Sequence, residues 1–270
     1  MKMVNMWRCA LNERMQILKM LEDGKINAQE AERLLEALSH SQSKEKKNKF
    51  KIWSSIEGIP KFISAAIGNA IDDPQCEESM QYTAKKKLSF NGISGDLTIE
   101  GDSTDKIEIQ RDGFAKIKQD DETLYIKTLS GDVSISLPHK TEISIAGISG
   151  NISITDVEGT IRIESVSGDV IGKNLSGSMF GEFVSGDINL DYAKAQKIKI
   201  RSRSGDVTLQ LDKKQEADLD IESDAGSISC DFALKNEIKS DNKLKGILNK
   251  ATAEIEITSK SGDVTIKERG

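Results

Sequence analysis

The residues best equipped for chemistry in this 270-residue chain are the serine and the aspartate of a repeated tripeptide, Ser-Gly-Asp. It recurs at residues 94–96, 130–132, 167–169, 185–187, 204–206 and 261–263, with a near copy at 149–151 and a diverged copy at 225–227. Repeated carboxylates and hydroxyls suit cation binding. They also suit turns, because aspartate bonds nearby backbone N–H groups and glycine adopts positive φ.

The spacing of the glycines favours turns. From Gly95 to Gly205 they recur every 18 or 19 residues, which indicates a repeat architecture. The flanking segments alternate apolar and polar residues, as in "IRIESVSGDVIG" at 161–172. This alternation is typical of β-strands with one buried face. Each Ser-Gly-Asp is therefore predicted to turn the chain between two strands.

A mainly β fold follows, and we predict a β-solenoid over residues 82–268. It would contain about nine to ten rungs of roughly 18 residues, stacked about 4.8 Å apart. Inward columns of Ile, Val and Leu would form a narrow core, in keeping with an aromatic content of 4%. The segment around Gly113 keeps the period but lacks the serine, and lysine-rich Asp231–Lys250 is predicted to form a loop. A β-sandwich or a propeller-like closure is the alternative architecture.

Stacked rungs would align the aspartates in a column, and we predict that their role is structural. The repeat shares a nine-residue half-period with calcium-binding nonapeptides, but it lacks their paired glycines and their Gly-x-Asp spacing. Calcium binding is retained as the alternative. Its ligands would be Asp96, Asp132, Asp169, Asp187, Asp206 and Asp263.

Residues 10–38 are predicted to form a small α-helical hairpin. Apolar residues recur there at helical spacing, and Gly24 fits a helix C-terminal cap. So short a segment buries little surface alone, so the hairpin is expected to bind a protein partner or a second copy. The contact residues would be Leu18, Leu21, Leu34, Leu35 and Leu38.

A basic linker at 39–51 leads into an amphipathic helix predicted at 52–71. Its apolar face starts just after Pro60, a residue that suits the first turn of a helix. This helix is expected to cap the first rung of the solenoid. In the alternative, it and the linker lie on an anionic membrane surface. The partner or membrane contacts would be Lys46, Lys47, Lys49, Trp53, Phe62, Ile63 and Ile67.

Composition excludes several functional classes. A net charge of −6 argues against nucleic acid as a partner. Cys9, Cys76 and Cys230 have no disulfide or metal-site spacing, so a reducing compartment is expected and no metal or other cofactor is predicted. Neither His40 nor His139 has a partner at catalytic spacing, which predicts a non-enzymatic protein. We find no apolar run of about 18 residues and no signal peptide, so a cytoplasmic location is expected, with peripheral membrane association as an option.

Two motifs resemble known bacterial domains. The "SGDV-x-I" repeat between about residues 85 and 268 is similar to an adhesin-like β-repeat domain of unknown function, and "ERMQILKMLEDGKINAQEAERLLEAL" resembles the SHOCT-like domain found with it. Together they resemble proteins of the YvlB/LiaX type. The resemblance implies a role in the Gram-positive cell-envelope stress response, with links to membrane-active antibiotics and membrane-protein partners. It carries over no catalytic residue.

The expected function is therefore that of a non-enzymatic interaction or scaffold protein of the envelope stress response at the membrane surface. The alternative is a secreted or surface adhesin-like binding module, with calcium held at the Ser-Gly-Asp turns.

Overall fold

The computed structural model describes residues 79–113 and 115–270. The predicted hairpin at 10–38, the linker at 39–51 and the amphipathic helix at 52–71 lie outside these described residues. The described part is all β, with nineteen strands and no helix. In chain order the strands are β1 Ser79–Thr83, β2 Lys87–Gly92, β3 Leu97–Asp102, β4 Lys106–Arg111, β5 Ala115–Gln119, β6 Thr123–Thr128, β7 Val133–Pro138, β8 Glu142–Ser149, β9 Ile152–Thr155, β10 Glu158–Ser167, β11 Val170–Phe183, β12 Ile188–Ser202, β13 Val207–Leu211, β14 Ala217–Ser223, β15 Ile228–Cys230, β16 Lys235–Ser240, β17 Lys243–Leu248, β18 Ala253–Ser259 and β19 Val264–Glu268.

The strands follow from the alternation of the sequence. In β13, for example, Val207, Leu209 and Leu211 are buried, while the residues between them are half-buried on the other side. Successive side chains of a strand point to opposite faces, so this pattern buries one face and leaves the other in solvent. The buried side chains, mostly Ile, Leu and Val, form one hydrophobic cluster. The predicted core of small β-branched and aliphatic columns is confirmed.

The strands build two faces that share the long strands β11 and β12. Face one runs in the order β5, β6, β2, β8, β10, β11, β12, β18, β14, β17, β16. Face two runs in the order β1, β4, β7, β3, β9, β11, β12, β13, β19, β15. A rung is one strand of each face joined by a turn, and neighbouring rungs pair in parallel. The eight rungs are β2–β3, β6–β7, β8–β9, β10–β11, β11–β12, β12–β13, β14–β15 and β18–β19. The arrangement is solenoid-like, with eight rungs rather than the nine or ten expected.

The rungs do not stack in chain order at either end. The first rung, β2–β3, lies between β6–β7 and β8–β9. The last rung, β18–β19, lies between β12–β13 and β14–β15. Both edges of the first rung are therefore already paired. The helix predicted at 52–71 to cap this rung would have to cover other strands instead.

Antiparallel strands cover the ends of the stack, and they correct two expectations. The segment around Gly113 does not form a rung, because β4 and β5 on either side of it pair antiparallel with β7 and β6. Asp231–Lys250 is not a loop but contains the antiparallel pair β16–β17, which extends face one from β14. In β17, Leu244, Gly246 and Leu248 are buried, so the strand has a core-facing side that Lys243 and Lys245 obscure in the sequence.

The glycines of the turns pack against one another along the stack. Gly186 has a φ of +120°, and a Cβ at this position would lie 2.2 Å from the carbonyl oxygen of Gly168. Gly205 meets Gly186 in the same way, with a φ of +105° and the same 2.2 Å distance. Since no side chain fits that gap, the period of glycine is set by the stacking of the turns.

Gly186→Ala should therefore lower the free energy of unfolding by about 3 kcal/mol, through positive φ and backbone overlap. Gly147→Ala is the matched control, because nothing lies within 4 Å of a Cβ there and its φ is not positive. We expect the control to change stability by less than about 1 kcal/mol. Urea unfolding measures both variants, and equal effects would contradict the stacking argument.

Candidate binding surfaces

The aspartate side chains of the turns form a hydrogen-bond ladder. The backbone N–H of Asp206 donates to Oδ1 of Asp187 at 2.9 Å, and the N–H of Asp187 donates to Oδ1 of Asp169 at 2.9 Å. The same bond links each rung to the next. In order along the stack, the ladder comprises Asp112, Asp132, Asp96, Asn151, Asp169, Asp187, Asp206, Asp263 and Ser227.

The ladder explains why aspartate recurs. From Asp96 to Ser227, the carbonyl oxygen of each ladder residue accepts the N–H of the residue that follows the adjacent ladder residue, as in Ile188 to Asp206 at 2.8 Å. The aspartate N–H itself is satisfied by the carboxylate of the adjacent rung. Carboxylates repeated at about the 4.8 Å strand spacing repel one another, and these N–H bonds offset the repulsion. The repeated acidic residue is thus part of the turn, as predicted.

The diverged copies of the repeat lie at the two ends of this ladder. Ser227 donates its N–H to Asp263 at 2.8 Å, and no further rung stacks on Ser227 within the described residues. Bonds from Ser227 lower the pKa of the Asp263 carboxyl. At the other end, Asp112 supplies the carboxylate for Asp132 at 2.6 Å. The sequence therefore loses the Ser-Gly-Asp pattern where the stack ends.

The calcium alternative involves the same aspartates. Among residues 79–113 and 115–270, no group of three or more His, Cys, Asp or Glu side chains is arranged to hold a metal ion. One oxygen of each predicted ligand is already bonded to a backbone N–H. Calcium binding stays a prediction, and calorimetric titration of the protein with calcium tests it.

The outer surface of face one carries charge in stripes along the strands. The basic stripe on β12 consists of Lys197, Lys199 and Arg201; the acidic stripe on β18 and β14 consists of Glu254, Glu256, Asp218, Asp220 and Glu222; the second basic stripe on β17 consists of Lys243 and Lys245. Ion pairs join the stripes. They are Lys197–Glu254 at 2.7 Å, Lys199–Glu256 at 2.7 Å, Lys245–Asp220 and Lys243–Glu222.

The stripes stabilise the last rung in its position. Glu254 and Glu256 of β18 lie beside Asp218 and Asp220 of β14, an arrangement that is unfavourable by itself. Lysines on both flanks neutralise it. The outward charges of β18 are thus complementary to those of β12, which stabilises the contact between these two strands.

Face two has a different outer surface. Its central row is uncharged and mostly hydroxylated, because small polar residues alternate there with the buried ones. In stack order the row contains Ser134, Thr98, Ser153, Ile171, Asn189, Thr208, Thr265 and Ser229. The two faces therefore offer a charged and a neutral polar surface.

The residues predicted for partner and membrane contact fall outside the described part of the chain. They are Lys46, Lys47, Lys49, Trp53, Phe62, Ile63 and Ile67, and the hairpin leucines 18, 21, 34, 35 and 38. No helix in residues 79–113 and 115–270 is long and apolar enough to cross a bilayer.

Groups with catalytic potential have structural contacts. Nδ1 of His139 lies 2.7 Å from the carbonyl oxygen of Asp156. Cys230 is half-buried and packs against the core, and burial raises the pKa of its thiol. The charge stripes were not recognised in the sequence, although outward charges of one sign in "KIKIRS", "ADLDIES" and "AEIEITS" were a usable signal.

Two family models match the chain. One, described as Toastrack DUF4097, matches residues 115–267, and one described as a SHOCT-like domain matches residues 12–43. They confirm the pairing of domains inferred from the two motifs. The Toastrack match begins at β5, yet the rung β2–β3 lies inside the same stack. No curated protein matches the chain.

Three solved structures are similar to it. A candidate cell adhesion protein from Clostridium sporogenes is 17% identical, with a TM-score of 0.47 over 73% of this chain and 100% of its own. A candidate adhesin from Bacteroides fragilis is 13% identical, with a TM-score of 0.31 over 73% and 99%. A candidate adhesin from Parabacteroides merdae is 12% identical, with a TM-score of 0.25 over 71% and 95%.

Asp187→Ala should lower the free energy of unfolding by about 1–2 kcal/mol, because the N–H of Asp206 loses its acceptor. Asp187→Asn keeps an acceptor oxygen, as Asn151 does naturally for Asp169 at 3.0 Å. We expect the asparagine variant to stay within about 0.5 kcal/mol of the parent. Urea unfolding of the pair tests the ladder, and similar losses in both variants would contradict it.

Lys199→Glu should destabilise the protein by about 1 kcal/mol, since it sets like charges beside Glu256. The effect is modest because both side chains are 32% exposed. The double variant Lys199→Glu/Glu256→Lys should recover most of the loss. Thermal unfolding at low and high salt measures it, and an effect that salt does not reduce would argue against an ionic cause.

Proposed function

The chain belongs to the Toastrack DUF4097 family, and we propose that it is a non-enzymatic interaction or scaffold protein of the bacterial cell-envelope stress response. The observation that carries the non-enzymatic part is the aspartate ladder. The most repeated reactive groups of the chain bond the backbone of neighbouring rungs, as Asp169 and Asp187 do. The domain then contributes rigid, extended surfaces rather than a catalytic cleft.

The stacked faces suit protein binding. A sheet with its turns packed tightly resists bending, so contacts along it are preorganised and lose little conformational entropy on association. The charge stripes of face one favour partners with the opposite pattern of charge. The hydroxyl row of face two adds a surface that can form hydrogen bonds with partners of either charge, because a hydroxyl group both donates and accepts.

We place the protein at the cytoplasmic side of the membrane, in peripheral association with it. The chain as a whole carries a charge of −6, so an anionic surface repels most of it. Lys46, Lys47 and Lys49 are clustered just before the apolar residues of 52–71. Each lysine near an anionic surface contributes about 1 kcal/mol, and buried apolar side chains add to this.

The SHOCT-like segment is the proposed site for a protein partner or a second copy. Its leucines at 18, 21, 34, 35 and 38 recur at helical spacing, and all of them lie in residues 12–43, which the SHOCT-like family model matches. This part of the proposal rests on sequence pattern and on the resemblance to stress-response proteins.

Co-sedimentation with vesicles tests the membrane part. The full chain should pellet with phosphatidylglycerol vesicles and not with phosphatidylcholine vesicles, and deletion of residues 44–71 should abolish pelleting. The triple variant Lys46→Glu/Lys47→Glu/Lys49→Glu should reduce it at least about tenfold, by the loss of attraction and the added repulsion.

The matched control reverses three exposed lysines of the β-domain that form no ion pair among the described residues, Lys118, Lys214 and Lys260, to glutamate and should leave pelleting unchanged. Binding that survives the deletion, or that is equal on both vesicle types, would refute the membrane assignment.

A further inference from the structure

Strand β16 is an open edge of face one. All six of its residues, Lys235–Ser240, are exposed, and within the described residues the strand pairs only with β17. Ile238 at its centre is 65% exposed, compared with 38% for Tyr125 and 39% for Ile171. An exposed edge with an apolar centre is a template for pairing with another strand.

The opposite edge of face one shows how such pairing is normally prevented. Strand β5 pairs only with β6 there, among the residues that the structure describes, and its centre reads Lys116-Ile117-Lys118. Antiparallel self-pairing about Ile117 would set Lys116 of one copy against Lys118 of the other. Like charges directly opposite each other are destabilising, so this edge is protected against a second copy.

Strand β16 has the same pattern with one change, Glu237-Ile238-Lys239. Antiparallel self-pairing about Ile238 sets Glu237 of each copy against Lys239 of the other, and Ile238 against Ile238. Both charged positions beside Ile238 then meet an opposite charge.

Local geometry places the charges suitably. Lys239 pairs with Leu244, which is buried, so Lys239 lies on the inner side of β16, and Glu237 shares that side by the alternation of the strand. Ile238 pairs with Lys245 on the outer side of the sheet. Asn236, with a φ of 52°, marks an irregularity in the pairing with β17, so Glu237–Ser240 forms the regular part of the edge.

We propose that β16 pairs antiparallel with β16 of a second copy about a two-fold axis at Ile238, which joins two stacks end to end. This isologous contact is independent of the SHOCT-like segment. It uses the edge backbone for affinity and the Glu237–Lys239 pairs for choice of partner and register.

Charge exchange in the full chain tests the register. Glu237→Lys recreates the Lys-Ile-Lys pattern of β5. Lys239→Glu places one glutamate on each side of Ile238. Sedimentation equilibrium should show self-association of the parent, weakened about tenfold or more in each single variant. The double variant Glu237→Lys/Lys239→Glu should associate as the parent does, because both pairs are restored with reversed sign.

A mixture of the two single variants gives the sharpest readout. One variant carries lysine at both positions 237 and 239, and the other carries glutamate at both. In a heterodimer each lysine therefore faces a glutamate, so the mixture should associate although neither variant does alone. Thermal unfolding should be similar for all forms, since these side chains are exposed.

Three outcomes would overturn the proposal. They are a monomeric parent at all concentrations, single variants that associate as the parent does, and a mixture that stays monomeric. Retained association in the single variants, lost on Leu34→Glu, would assign self-association to the SHOCT-like segment instead.

Discussion

The close approach of stacked turns is the constraint on which the rest of this structure depends. The 2.2 Å between a virtual Cβ of Gly186 and the carbonyl oxygen of Gly168 leaves room for hydrogen only. Turns can then stack at the spacing that the strands require. In most turns the aspartate that follows the glycine supplies the acceptor for the next rung, and Asn151 does so in one. Glycine, aspartate and the alternating strands are thus three parts of one repeated unit.

The ends of the stack obey different rules from its middle. Inside, every rung is interchangeable in its turn chemistry, so turns do not define the order of rungs. Outward charges stabilise the last rung, where Glu254 and Glu256 meet Lys197 and Lys199 on one side. At the ends, antiparallel strands replace rungs and the ladder stops at Asp112 and Ser227. Open edges present unpaired backbone groups, and charged side chains on them affect which strands can pair there.

Repetition of a reactive group is weak evidence for a repeated site. A column of carboxylates invites comparison with calcium-binding repeats, yet each Oδ1 in the ladder is engaged by a backbone N–H. The groups that vary between rungs are more informative about binding. They stand on the outer surfaces, where the stripes of face one and the hydroxyl row of face two differ although the core columns beneath them are alike.

The sequence by itself determined the strands, the turns and the core. Residues such as Ile161 and Ile163 alternate with polar ones, and the glycine period repeats, because both arise from local geometry that each rung must satisfy. The sequence also indicated the structural role of the aspartates. Only the tertiary structure decided the neighbours of each rung, the conversion of Asp231–Lys250 into β16 and β17, and the reversal around Gly113. The physical reason is that all rungs offer the same backbone edge, so pairing partners depend on contacts between residues far apart in the chain, which a local pattern does not encode.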